Sequence, residues 1–494
     1  MWALITCTLV TTLYATTITI ANVSLPQIQG AMSASPDQIA WVVTSNLIAT
    51  AVTIPAAGWL SARFGRKRSM IWGVCGFGLA SVMCGLSTSL NELLFWRVVQ
   101  SASCSPLTPI SQAVVIDTFA GSKRGPAMAI YGLGVVMGPT IAPLLGGYVS
   151  EEISWRWVFF ILVPMAGVAL LGLLLFIKDT REPDRHARLD WTGFLALSVA
   201  VSCIQLMLDR GERLEWFSSP EIVLEAFGAS LAGWVYISHS LTTEKPFLDP
   251  RLLLNRNFAV GLGMSLIFGA LFVTPMVLLP AMLQQLRDTP EFIIALILAA
   301  RGVGTLVSQV LMIFVSNRLE PRTLLLVGFG AHTVAGLQMM AFDMNVSLAE
   351  VAISNVIQGF GVGCLWVPIT LVLFSEFDEK RTSEGTGIFH FVRSVGSSYF
   401  ISACFVLIFH SSKMNYSDLV VWISPFHEFF RYPMAAGSWD PDTQIGLFNL
   451  SNEVSRQAIT IGYVNAFHLF TWASFAVYPL IAMVRWPPRP VRES

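Results

Sequence analysis

Apolar runs long enough to cross a bilayer recur from one end of this chain to the other, and no other feature restricts the fold as strongly. About 20 apolar residues span the hydrocarbon as a helix. Runs of that kind fall near residues 4–25, 38–59, 69–88, 91–117, 126–149, 157–177, 190–209, 221–241, 257–284, 289–315, 322–343, 347–375, 385–410 and 463–484. Backbone polar groups in lipid must be satisfied within the segment that carries them, so the expectation is an all-α integral membrane protein of fourteen spans. Composition agrees: 12% of residues are charged and 54% are hydrophobic, whereas soluble domains carry about twice that charged share. A net charge of −1 argues against nucleic acid, which calls for a concentrated basic face. All seven cysteines lie inside apolar runs and none form a CxxC pair. They read as small buried hydrophobes, with no zinc site or disulfide framework indicated. The opening "MWALITCTLV" lacks the basic stretch and cleavage site of a secretory signal. It reads as the first span, with the natural start expected upstream.

The cations orient the spans. "GWLSARFGRKR", residues 58–68, places Arg63, Arg66, Lys67 and Arg68 in one short connector. Lys and Arg collect in cytoplasmic loops. If connector 26–37, which has neither, lies outside and the rest alternate, 20 of the 30 Lys and Arg fall inside and 7 outside, with Arg97, Arg301 and Arg393 within spans. Both termini are then cytoplasmic. Segment 411–462 falls outside and is rich in Pro, Asn, Asp and aromatics. It reads as a long loop, either a plain connector or a docking or lid segment.

Charges inside a span are costly and face a cavity or a partner. In "FWRVVQ", Arg97 and Gln100 share a helical face. The guanidinium must find carbonyls, water or a distant acid, or snorkel to the headgroups. His390 and Arg393 in "FHFVRSVG" likewise share a face and offer either a proton switch or a structural pair. Span one is rich in Thr, which can bond back to its own helix, but its Asn22 needs a partner and is expected to face the bundle interior. Span five, "GLGVVMGPTIAPLLGG", combines Pro139 and Pro143 with Gly134, Gly138, Gly146 and Gly147. Such a helix can bend and admit a close neighbour, giving a rocking seam. Asp117, at the inner end of span four, lies at the depth of the basic connector and is expected to bridge to Arg63 or Arg66.

Taken together these stretches resemble the major facilitator superfamily, specifically its fourteen-helix drug:proton antiporters of the EmrB/QacA type. "GWLSARFGRKR" resembles the loop motif G-x-L-x-D-R-x-G-R-K at Gly58, Leu60, Arg63, Gly65, Arg66 and Lys67. "RVVQ" resembles the fourth-helix R-x-x-Q at Arg97 and Gln100, and "GPTIAPLLGG" the fifth-helix antiporter motif. "TIANVSLP", "SWRWVFFILVP" and "LDRGERLEWFSS" are similar to signatures of the same type. The resemblance implies a six-helix bundle over 1–180, two inserted helices over 181–250 and a second six-helix bundle over 251–494, with "SNRLEPR" (316–322) as an eroded repeat of the loop motif. It implies alternating access and proton-driven export of amphipathic compounds, with no cofactor. Asn22, Arg97, Gln100, His390 and Arg393 would line the substrate and proton pathway, and Gly58, Arg63, Gly65, Arg66, Lys67 and Asp117 would form the conformational switch. It further implies the bacterial inner membrane, a periplasmic adaptor and an outer-membrane channel. The chain departs from the pattern at Ala62 and Thr17, where relatives carry acids, and at Ala142, where they carry glycine.

Three other functions compete with drug export. A metabolite, siderophore or lipid could be the cargo of the same fold. A non-transporting scaffold or sensor would suit the missing acids. An enzyme would need clustered His, Asp, Glu or Cys at one depth, and the seven His are scattered.

Overall fold

The computed structural model describes the chain except residues 120, 179–183, 185, 245, 378–380, 424–438, 441–442 and 487–494, and except the side chains of 18, 22, 23, 36, 37, 40, 122, 143, 144 and 291. The side chains of Asn22 and Pro143 therefore lie outside the described residues. Among the described residues, thirteen helices are long and apolar enough to cross a membrane. The first bundle holds α1 (Trp2–Val23), α2 (Pro36–Thr53, continued through a 3-10 turn into Ala57–Phe64), α3 (Arg66–Leu86) and α4 (Leu90–Cys104 with Leu107–Thr118). It is completed by α5 (Arg124–Glu152) and α6 (Trp157–Phe160 with Leu162–Phe176). A hairpin of α7 (Trp191–Arg210) and α8 (Pro220–Thr242) follows. The second bundle holds α9 (Arg256–Arg287), α10 (Glu291–Val315), α11 (Pro321–Met340), α12 (Leu348–Leu373), α13 (Thr382–Val420) and α14 (Gln444–Phe475 with Tyr478–Met483). The fourteenth span is α4, whose two pieces are each short because Pro106 lacks the N–H that would continue the ladder.

The eroded motif at 316–322 sits where a repeat would place it. Lys67 Nζ at the start of α3 donates to the Leu174 carbonyl near the end of α6, 2.9 Å away. At the start of α11, Arg322 donates to the Val484 carbonyl just after α14. The two bundles meet along α5 and α10, where Thr140 lies beside Gly302, Gly132 beside Gln309 and Gly125 beside Ser316. They meet again along α2 and α13, while α7 packs on both of these helices.

Segment 411–462 is corrected by the structure. It is not one long loop: α13 continues to Val420 and α14 begins at Gln444. At about 1.5 Å per residue, the 39-residue α13 is far longer than the ~30 Å of hydrocarbon. Hydropathy marks only the part of a helix that lies in lipid. Beyond it, polar side chains sustain the hairpin: Asn465 Nδ2 donates to Ser411 Oγ (2.6 Å) and Tyr416 Oη meets Ser451 Oγ (3.1 Å).

Candidate functional site

The end carrying residues 63–68 (the basic end) is sealed. Gly65 has φ +81° and ψ 157°, a region open almost only to glycine. It turns the chain from α2 into α3 so that Arg66 points inward. Arg66 is 8% exposed; its Nη1 lies 2.7 Å from Asp117 Oδ2, and its Nε donates to Ser383 Oγ on α13 at 3.1 Å. Asp117 thus pairs with Arg66. Gly58 on α2 abuts the Glu384 backbone, where an added Cβ would stand 3.1 Å from Cα. These contacts join the bundles at this end.

Outward from the seal lies a cavity of about 150 Å³ between the bundles. Its polar wall is one strip of α13: Arg393, Ser394, Ser397, Ser398 and Ser402. One turn toward the basic end, and fully buried, His390 Nε2 lies 2.5 Å from Gln112 Oε1 on α4. Against this strip α7 supplies Gln205 and Asp209. Ser398 Oγ donates to Gln205 Oε1. Asp209 Oδ1 accepts from Gln205 Nε2 (2.8 Å) and Ser402 Oγ (2.9 Å), and Oδ2 from Thr44 Oγ1 on α2 (3.3 Å). Asp209 is the one carboxylate among the described residues lining this cavity. It also lines a recess of about 520 Å³ at the far end, toward which it is exposed. There Lys413 Nζ on α13 bridges to Glu212 Oε1 at 3.0 Å. Partial burial works against the Glu212 carboxylate, but hydrogen bonds from Lys413 and Trp216 outweigh it and hold the group below the usual carboxylate range.

Arg97 and Gln100 do not join this site. Arg97 is 1% exposed within the first bundle. Its Nη1 donates to Gln100 Oε1 (2.8 Å), Gln100 Nε2 donates to Ser81 Oγ (2.7 Å), and the guanidinium lies 5.7 Å from the Phe159 ring centroid. The guanidinium does not snorkel, and among the described residues it pairs with no acid. The second bundle holds a counterpart: Arg301 Nε donates to Gln358 Oε1 at 2.5 Å, and the Arg301 guanidinium also reaches the Phe272 carbonyl. Gln100→Leu is expected to cost about 2 kcal/mol, the size of a charged hydrogen bond left unmade. It should lower the unfolding temperature of the detergent-solubilised protein and leave ligand affinity unchanged, because Gln100 is outside the cavity.

On α5, Gly134, Gly138 and Gly146 face α1, while Pro139 lines the cavity. The Thr residues of α1 bond back to their own helix at Thr12 and Thr17, and Thr11 donates to Tyr131 Oη at 2.9 Å. Sequence reasoning missed Gln112, Gln205, Asp209 and the serine strip. The available signal was spacing: Gln205 and Asp209 are four apart, and Ser394, Ser398 and Ser402 recur every fourth residue, each set on one helical face.

The sequence profile described as Major Facilitator Superfamily matches residues 7–401. The chain is 30% identical over 480 residues to "Multidrug export protein EmrB" of Escherichia coli K12, covering 96% of this chain and 92% of that one. It is equally 30% identical, over 475 residues, to "Probable multidrug resistance protein EmrY" of the same organism, with the same coverage. Among solved structures, the proton:xylose symporter XylE aligns with a TM-score of 0.60 at 15% identity, over 95% of this chain and 94% of that one. At that identity the likeness shows the fold alone.

Proposed function

The chain belongs to the Major Facilitator Superfamily, and from that premise we propose that it is a multidrug efflux transporter, carrying amphipathic compounds outward by alternating access in exchange for protons. One observation carries the reading: a cavity with an apolar floor and a polar α13 wall lies between two bundles that are joined at the basic end by non-covalent contacts. Apolar pockets with few fixed polar groups accept varied ligands. The relatives named as multidrug exporters cover nearly the whole chain. The basic end faces the cytoplasm of a bacterial inner-membrane protein, with both termini on that side. A periplasmic adaptor would meet the projecting end of the α13–α14 hairpin, where Val421, Trp422, Ile445 and Phe448 are exposed.

Proton entry acts on Asp209. Its carboxylate straps α7 to α2 of one bundle and to α13 of the other. Charge-assisted hydrogen bonds are about twice as strong as neutral ones, so protonation from the far end loosens the strap and frees the bundles to rock. The test is dye efflux from proteoliposomes with and without a pH gradient. Wild type should be accelerated by the gradient. Asp209→Asn, which imitates the protonated strap, should lose that acceleration about tenfold or more, about 1.4 kcal/mol of coupling. His390→Gln is the comparison: if it alone loses the acceleration, the coupling group is His390 and not Asp209. Movement of dye by wild type that ignores the gradient refutes antiport.

A further inference from the structure

Three guanidinium groups lie within the membrane spans, and two of them donate to a glutamine, though the Nε of Arg97 is itself enclosed without a partner. The third donates to none. Arg393 is 7% exposed, yet among the described residues no carboxylate pairs with it and no acceptor takes a hydrogen bond from its guanidinium. Its Nε is enclosed without a partner. The rings of Phe272 and Trp366 flank it, with centroids 5.9 and 5.8 Å from Cζ. Aromatic faces steady a cation but leave its N–H donors unmet. Arg393 is itself one of the residues that line the cavity. Leaving a buried charge unpaired is expensive, so the site is built for something that arrives from the cavity.

We propose that Arg393 anchors the acidic headgroup of an amphiphilic carboxylate, whose apolar body lies along Phe272, Val273, Met276 and Ile401. A planar guanidinium matches a carboxylate with two parallel hydrogen bonds. Thr108 Oγ1, also buried on the cavity wall and without a partner, supplies a further donor. Tyr14 borders the same space. The one carboxylate among the described residues lining the cavity is Asp209, which is engaged by three donors at the level of Ser402. Nine residues of helix separate Ser402 from Arg393, about 13–14 Å. The cavity is therefore polarised, positive at its inner end and negative at its mouth. It orients an acid headgroup-inward and disfavours a lipophilic cation. The proposal rests on the reading that this cavity holds the substrate, and it names the substrate class.

The test is binding to the purified full-length protein in nanodiscs. The probes are 11-(dansylamino)undecanoic acid, its methyl ester, and the cationic dye ethidium. The wild type should bind the acid at least about tenfold more tightly than the ester, the gain expected of a charge-assisted bidentate contact. Arg393→Gln should bring acid and ester to within about twofold of each other, while Arg393→Lys should keep part of the preference, since a point charge replaces the fork. Equal wild-type affinity for acid and ester overturns the proposal without any variant being needed, and it would mean that only water meets the guanidinium. Tighter binding of ethidium than of the acid also overturns it, and leaves the exporter reading standing. Failure to bind any of the three probes, with no dye moved in proteoliposomes, defeats both.

Discussion

Asp117→Asn is expected to leave the transporter unable to hold its basic end shut. Arg66 would remain buried at 8% exposure with the carboxylate 2.7 Å from its Nη1 replaced by a neutral amide. Removing one partner of a buried ion pair costs about 3–5 kcal/mol. That penalty falls on the closed arrangement, because Arg66 is pinned there between Asp117 and Ser383 and gains water when the bundles part. Each 1.4 kcal/mol is tenfold in a population, so the closed-to-open ratio should fall by roughly a hundredfold or more. The readout is the labelling rate, by a bilayer-impermeant maleimide, of a cysteine introduced at Ser61, which is 8% exposed in the closed state, in a background with the exposed Cys75 replaced. Labelling should accelerate by that order and gradient-driven efflux should collapse. Combining Arg66→Asp with Asp117→Arg should recover part of both. If Asp117→Asn labels at the wild-type rate, the pair does not govern closure. Arg63→Gln is the control, since the carboxylate of Asp117 pairs with Arg66.

Gly138→Leu is expected to prevent correct assembly of the first bundle. Gly134, Gly138, Ala142 and Gly146 recur every fourth residue on the face of α5 turned to α1. A Cβ at Gly138 would stand 2.8 Å from the Thr16 nitrogen, 2.9 Å from Ala15 Cβ and 3.0 Å from the Thr12 carbonyl oxygen. Two of these are backbone atoms and cannot step aside without moving α1. Small residues at such a crossing let helices approach backbone to backbone, and the α1 threonines serve the same end by turning their hydroxyls onto their own carbonyls. Overpacking costs about 1–3 kcal/mol when side chains can adjust, and more when they cannot. A leucine here should cost at least about 3 kcal/mol by that measure, a large share of the roughly 5–15 kcal/mol that holds an ordinary domain folded. Size-exclusion profiles in detergent should show aggregated material, whereas Gly167→Leu on α6, where nothing lies within 4 Å of an added Cβ, should elute as wild type.

Much of the architecture is legible in the residues alone. Span length is a local property measured against a fixed slab of hydrocarbon, and the cations between spans report sidedness independently. Fourteen spans follow from that, while two bundles and an inserted pair are what the resemblance carried by residues 58–68 and 132–147 implies. The glycine row of α5 and the His390–Arg393 face could be placed on a helix for the same reason, because spacing alone defines a face.

Which face meets which neighbour is another matter. Each residue turns a helix by about 100°, so the partner of a side chain depends on rotations that only the packing of all fourteen helices sets. That packing chose Arg66 over Arg63 for Asp117. It drew Arg97 into the first bundle and away from the cavity. It brought Asp209, on a helix outside both bundles, against Thr44 and Ser402. It also carried α13 and α14 past the bilayer as a polar hairpin, beyond the reach of hydropathy, which reads only the part of a helix that lipid touches.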